Sequence, residues 1–123
     1  MNLTEFTDQQ KQALVDLLVL GMYADGNLDL IEDAMVRQVL DTIQFSSNSA
    51  RQYFIDASFA RARKNGGAAK TTQSYVSEIA KTFPTPATRR QVYDALKESL
   101  FSDQRMADKE TELLAIVSEE FKL

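Results

Sequence analysis

Apolar residues recur at three- and four-residue spacings along most of the chain. In the first such segment they form one stripe of Leu14, Leu17, Leu18 and Met22. This is the spacing of one face of an α-helix. No segment alternates apolar and polar residues for long enough to predict a strand. The pattern therefore predicts an all-α protein, a compact single-domain bundle of about six helices.

Capping residues set the bounds of the first helix. Thr7 is followed three residues later by Gln10, which is the spacing of a capping box, so helix 1 should begin near Asp8. Glycine is common just past a helix end. Helix 1 should therefore end near the pair 25–26, Asp-Gly.

The stretch ADGNLDLIE at residues 24–32 forms the turn after helix 1. Asp29 can accept hydrogen bonds from the free backbone N–H groups of a following helix, and Glu32 lies three residues on. We therefore predict that Asp29 and Glu32 cap helix 2. The apolar face of that helix should be Met35, Val36, Val39, Leu40 and Ile43.

The middle of the chain, about residues 47–84, predicts two further helices. Helix 3 should span about 50–64 and end at the Asn-Gly-Gly run of 65–67. Its inward residues are predicted to be Tyr53, Phe54, Ala57, Phe59 and Ala60. Thr71 and Thr72 are predicted to cap helix 4.

Two more helices follow a break at Phe83-Pro84-Thr85-Pro86. Proline suits the first turn of a helix, so Pro86 should lie at the start of helix 5, which runs to about Phe101. Helix 6 should run from about Asp108 to Phe121.

The two ends of the chain resemble each other at an offset of 78 residues. The aligned apolar pairs are Leu18 and Leu96, Met22 and Leu100, Val36 and Leu114, Val39 and Val117, and Ile43 and Phe121. Asp25 aligns with Asp103 and Glu32 with Glu110, so the acidic turn is repeated too. We interpret this as two related helical hairpins, at about 8–45 and 86–123, on either side of a basic middle pair.

Composition limits the chemistry that the chain can carry. It has no cysteine and no histidine, which excludes thiolate sites and the commonest general base. Any bound metal would be a hard cation held by oxygen ligands, such as calcium or magnesium. The N-terminus does not look like a signal peptide, and the longest apolar stretch is too short for a membrane span and contains Asp16. We therefore expect a cytoplasmic protein that is not an integral membrane protein.

Charge is distributed unevenly along the chain. Residues 1–49 carry a net charge of −6, residues 50–97 carry +6 and residues 98–123 carry −4. The residues predicted to form a basic interaction patch are Arg61, Arg63, Lys64, Arg89 and Arg90. An acidic protein partner or an anionic membrane surface, approached peripherally, would suit such a patch. The acidic overall balance and the lack of a recognition motif argue against nucleic acid.

The helix, the A-D-G-x-[IL]-[DS]-x-x-E turn and the amphipathic helix that follows together resemble the TerB-like family, named after tellurite-resistance protein B. A second, weaker copy of the turn reads SDQRMADKE at residues 102–110. The resemblance implies an all-helical domain with no known catalytic chemistry, linked in bacteria to tellurite and other chemical stress. It also implies an acidic surface that binds a metal ion or a partner.

Carried onto this chain, that acidic surface consists of Asp25, Asp29, Glu32, Asp103, Asp108 and Glu110. The second copy departs from the pattern, because Gln104 replaces the glycine and Ala107 stands in the place of Asp29. The spacing from Asp25 does not match an EF-hand loop. The sequence does not decide between two roles for these carboxylates, helix capping and a looser site for calcium or magnesium.

The sequence thus predicts a non-enzymatic, TerB-like module of a bacterial stress response that binds a protein partner, with divalent cation binding at the acidic turns as an addition. No cofactor is required by this interpretation. The alternative, from a different class of function, is a metal-dependent hydrolase or a cation sensor that uses the same carboxylates.

Overall fold

The computed structural model describes residues 3–25, 34–100 and 108–123. Within these ranges it contains α-helices and no strand, which confirms the predicted all-α bundle. The helices are α1 (Asp8–Asp25), α2 (Ala34–Asp41), α3 (Asn48–Asn65), α4 (Ala69–Lys81), α5 (Pro86–Leu100) and α6 (Asp108–Glu120).

Helix α1 lies at the centre of the bundle and packs against each of the other helices. Its middle residues, Leu14, Val15, Leu17, Leu18 and Val19, have no exposed surface. A helix that is apolar around its whole circumference is stable only when it is covered on all sides. The run ALVDLLVLG therefore forms the axis of the core rather than one amphipathic stripe.

The predicted starts of α1 and α5 are confirmed. Thr7 accepts a hydrogen bond from the Gln10 amide at 3.1 Å, and the Gln10 side chain accepts one from the Thr7 amide at 3.0 Å. Seventy-eight residues later, the Thr85 hydroxyl accepts the Thr88 amide at 3.2 Å and Pro86 opens α5. Both first helices of the predicted hairpins therefore begin with a threonine cap at the same register.

Burial follows the same offset of 78 residues. Leu18 and Leu96 are both fully buried, and Met22 and Leu100 are both 5% exposed. In the second helices, the aligned residues Val39 and Val117, Ile43 and Phe121, and Val36 and Leu114 are all buried. In each of these pairs that the sequence aligned, both apolar residues are thus buried in the core.

A basic residue in the first turn of each hairpin binds the end of the hairpin's second helix. Lys11 Nζ donates to the Thr42 carbonyl oxygen at 3.2 Å, and Arg89 Nη1 donates to the Phe121 carbonyl oxygen at 3.3 Å. Lys11 and Arg89 are also 78 residues apart. Cations stabilise the carbonyl oxygens that are left without partners at a helix end.

The predicted inward face of α3 is wrong at Tyr53 and Ala60, whereas the predicted Phe54 and Phe59 are partly buried and pack against the core. Tyr53 is 78% exposed and Ala60 is also exposed, whereas the buried residues of this helix are Ser58 and Ala62. The predicted face followed the aromatic side chains. The helix is instead turned so that Ser58 and Arg61 both reach Asp16 on α1.

The predicted threonine cap of α4 is also wrong. The N-cap residue is Ala68, and no side chain caps it. Thr71 and Thr72 lie within the first turns, where their hydroxyl groups donate to the carbonyl oxygens of Asn65 and Ala68. These bonds tie the end of α3 to the start of α4.

Candidate functional site

The structure describes two of the six predicted acidic residues with their side chains. Asp108 is exposed at the start of α6, and Glu110 is 1% exposed two positions later. Residues two apart on a helix point to nearly opposite sides. One carboxylate therefore meets solvent and the other lies in the core, so these two side chains do not converge on one cation.

Four predicted acidic side chains lie outside the described part of the chain, those of Asp25, Asp29, Glu32 and Asp103. The predicted capping of α2 by Asp29 and Glu32 also lies outside the described residues. Within residues 3–25, 34–100 and 108–123, no group of three or more acidic side chains comes together in a way that could hold a metal ion.

The five predicted basic residues divide between two helices. Arg61, Arg63 and Lys64 lie on α3, whereas Arg89 and Arg90 lie on α5, and these two helices are not packed against each other in the described structure. The predicted basic patch would therefore combine side chains from two helices that do not pack closely against each other.

Two of these basic residues bind groups outside their own helix. Arg61 binds Asp16, and Arg89 donates to the carbonyl oxygens of Phe83 at 2.6 Å and Ala80 at 3.2 Å as well as to Phe121. Arg63, Lys64 and Arg90 are exposed.

The outer face of α3 combines an exposed aromatic ring with positive charge. Tyr53, Ala60 and Lys64 share one stripe of the helix, because they are seven and four residues apart. All three are exposed, and so is Arg63 beside them. Tyr53 is the most exposed of the large hydrophobic residues that the structure describes. We use "outer face of α3" below for Tyr53, Ala60, Arg63 and Lys64.

A polar cluster that the sequence reasoning missed joins α1, α3 and α4. Asp16 Oδ1 accepts hydrogen bonds from Ser58 Oγ and from Arg61 Nη2, both at 2.7 Å. The Asp16 side chain is 16% exposed and that of Arg61 is 39% exposed. The signal was present in the sequence, because Asp16 is the one charged residue within an otherwise apolar helical run. A carboxylate in such a run indicates a buried polar partner.

Tyr75 on α4 completes this cluster. Its hydroxyl group is buried beside Asp16 and Arg61. Burial, with a further contribution from the negative charge of Asp16, raises the pKa of Tyr75 to about 12. Arg61 loses hydration by burial, but its hydrogen bond and charge interaction with Asp16 outweigh that loss and raise its pKa.

Two concave regions open on the described surface. The larger, about 330 Å³, is a groove between α2 and α5. Leu3, Val39 and Ala95 form its floor, and the side chains around it are Met35, Gln38, Gln91, Asp94 and Glu98. The smaller, about 120 Å³, lies between the end of α1, the α3–α4 turn and the start of α6. We refer to the first as the α2/α5 groove.

None of the helices in the described ranges has the length and apolar character that a membrane crossing requires.

Comparison with known proteins gave one match. The family model of the tellurite resistance protein TerB matches residues 2–54, a span that holds the ADGNLDLIE turn, the first hairpin and the beginning of α3. Neither the curated proteins nor the solved structures gave a match. Over residues 2–54, the chain is therefore similar to the tellurite resistance protein TerB.

Proposed function

We propose that this chain is a non-enzymatic, cytoplasmic module of the tellurite-resistance type, which binds a protein partner through the outer face of α3 during a bacterial response to tellurite or related chemical stress. The TerB match supports the type of system. The observation that carries the binding role is the 78% exposure of Tyr53 on a stripe that also presents Lys64.

Physical reasoning supports a protein as the ligand of this face. Tyrosine and arginine are enriched at the centres of protein interfaces, because they supply large contact areas together with hydrogen bonds. The positive charge of Arg63 and Lys64 favours a partner surface that carries carboxylates, and it would speed the encounter of the two.

Cation binding at the acidic turns is a second part of the proposal. Calcium and magnesium prefer carboxylate oxygens that are accessible from solvent. Asp108 meets that condition among the described acidic residues of the turns, whereas the buried Glu110 does not. A cation would therefore draw on Asp108 together with carboxylates from outside the described ranges.

The partner-binding role can be tested by affinity capture from the native host. We expect wild-type protein to retain a specific partner, and Lys64→Glu to reduce the amount retained at least about tenfold, because it places a like charge against an acidic partner. Lys122→Glu is the matched control, since Lys122 is an exposed lysine that follows α6 and does not belong to the outer face of α3. Equal capture by wild type and Lys64→Glu would contradict the proposal.

A further inference from the structure

The α2/α5 groove is the place where the two hairpins differ in packing. In the second hairpin, α6 packs against α1 as well as against its own partner α5. At the offset of 78 residues, the counterpart of this contact between α1 and α6 is a contact between α5 and α2. In the described chain, α2 and α5 do not pack closely, and the groove of about 330 Å³ lies between them.

The residues around the groove have buried counterparts 78 positions away. Met35 is half-buried, whereas its aligned counterpart Leu113 is only 3% exposed. Gln91 is exposed, whereas its aligned counterpart Ala13 is only 9% exposed. Two positions that are buried in one hairpin are thus more exposed in the other, and Gln91 is also polar.

The counterpart of Asp94 shows what covers such a position. Asp94 aligns with Asp16, and Asp16 is covered by α3, which brings Arg61 and Ser58 to its carboxylate at 2.7 Å. The Asp94 side chain is 58% exposed, compared with 16% for Asp16. No helix of the described chain covers Asp94 in the way that α3 covers Asp16.

Charge specifies the kind of helix that would fit. Asp94 and Glu98 are four residues apart on α5, so their carboxylates lie one above the other beside the groove. Arg90 Nε lies 3.4 Å from Asp94 Oδ1, but both side chains are more than half exposed. Such a pair contributes little and can be displaced at small cost.

We propose that the α2/α5 groove seats an amphipathic helix of a partner protein, which presents an arginine to Asp94 as α3 presents Arg61 to Asp16. The apolar floor of Leu3, Val39 and Ala95 would receive the small apolar residues of that helix. Glu98 would receive a second basic residue one turn away. This site is separate from the outer face of α3 and does not depend on it.

A synthetic copy of α3 is a direct probe, because that helix already presents the required serine and arginine to an aspartate. We would use residues 47–65 with a hydrocarbon staple between positions 56 and 60, which face away from the contact surface. The staple is needed because short isolated helices are marginal in water. The peptide is titrated into ¹⁵N-labelled full-length protein, and amide shifts are followed by NMR.

The expected result is saturable shifts of Val39, Gln91 and Ala95. Asp94→Asn in the protein, or Arg61→Glu in the peptide, should weaken binding roughly tenfold, because each removes a charged hydrogen bond. Glu119→Gln is the control, since Glu119 is an exposed carboxylate on α6 away from the groove, and it should leave the affinity unchanged.

Three results would overturn the proposal. One is an absence of shifts at the groove, or shifts confined to residues of α1 and the protein's own α3. Another is equal binding by the Arg61→Glu peptide. The third is a set of groove shifts that grows with protein concentration when no peptide is present, which would assign the groove to a second copy of this chain.

Discussion

Arg61 Nη2 on α3 lies 2.7 Å from Asp16 Oδ1 on the central helix. This contact fixes the rotation of α3, and therefore which of its residues face the core and which form its outer face. Because Ser58 donates to the same oxygen, the carboxylate is held by two side chains of one helix.

The first prediction concerns this contact. Arg61→Met should lower the free energy of unfolding by about 1–3 kcal/mol, because it leaves a largely buried carboxylate with fewer donors. Arg63→Met, two residues away on the exposed side, should change it by no more than about 0.5 kcal/mol. Urea denaturation followed by circular dichroism measures both. Similar values for the two variants would mean that the pair with Asp16 does not hold α3.

The second prediction concerns Tyr75. In an absorbance titration near 295 nm, one of the four tyrosines should ionise with a pKa of about 12, and Tyr75→Phe should remove that step. The unfolded chain releases this proton near pH 10. The folded state thus holds a proton that the unfolded state has lost. The contribution of the Tyr75 hydroxyl group to the free energy of unfolding is complete below about pH 10, and it is lost as the pH rises through 12.

The control for Tyr75 is the pH dependence of unfolding. Wild type should lose stability between about pH 10 and 12, and Tyr75→Phe should lose less over the same interval. If all tyrosines ionise together near pH 10, the hydroxyl group of Tyr75 is not buried beside Asp16 in solution.

A third prediction compares two neighbouring glycines. A Cβ at Gly66 would lie 2.7 Å from the Ala62 carbonyl oxygen and 2.7 Å from Tyr23 Cδ1, whereas a Cβ at Gly67 would meet nothing within 4 Å. Gly66→Ala should therefore cost about 1–3 kcal/mol, because backbone must shift. Gly67→Ala should be neutral or stabilise by up to about 1 kcal/mol. Thermal unfolding distinguishes them, and a larger loss for Gly67→Ala would contradict the packing of Tyr23 on this turn.

The fourth prediction addresses cations. On addition of calcium or magnesium at about 1 mM, the amide of Asp108 should shift more than that of Glu119, which is also exposed on α6. Asp108→Asn should reduce the response. Equal shifts at the two positions would indicate nonspecific screening, and the cation part of the proposal would then be lost.

Local signals were enough to predict most helix bounds. The Thr7–Gln10 capping box, the proline at 86 and the glycines at 66–67 act within a few residues of the chain, and each lies where the sequence placed it. Apolar periodicity likewise predicted the buried residues of α2 and α6. These features depend on the chain alone and not on its neighbours.

The rotation of α3 and the grouping of charges could not be predicted in the same way. The aromatic character of Tyr53 predicted that it faces inward, but the pairing of Arg61 with Asp16 across 45 residues sets the orientation of α3 and leaves Tyr53 exposed. The basic residues were grouped by the positive charge that they share in the middle of the chain. Charge alone does not predict which helices pack together, and α3 and α5 do not pack closely.

The central claim is that the outer face of α3 binds a protein partner. The most direct test places a photo-crosslinking phenylalanine derivative at position 53 in the native host, grown with and without tellurite, with position 119 on α6 as the control site. We predict a discrete crosslinked partner at position 53 that position 119 does not give and that Lys64→Glu suppresses. Irradiated cells that yield no discrete product at position 53, or the same products at both positions, would contradict the claim.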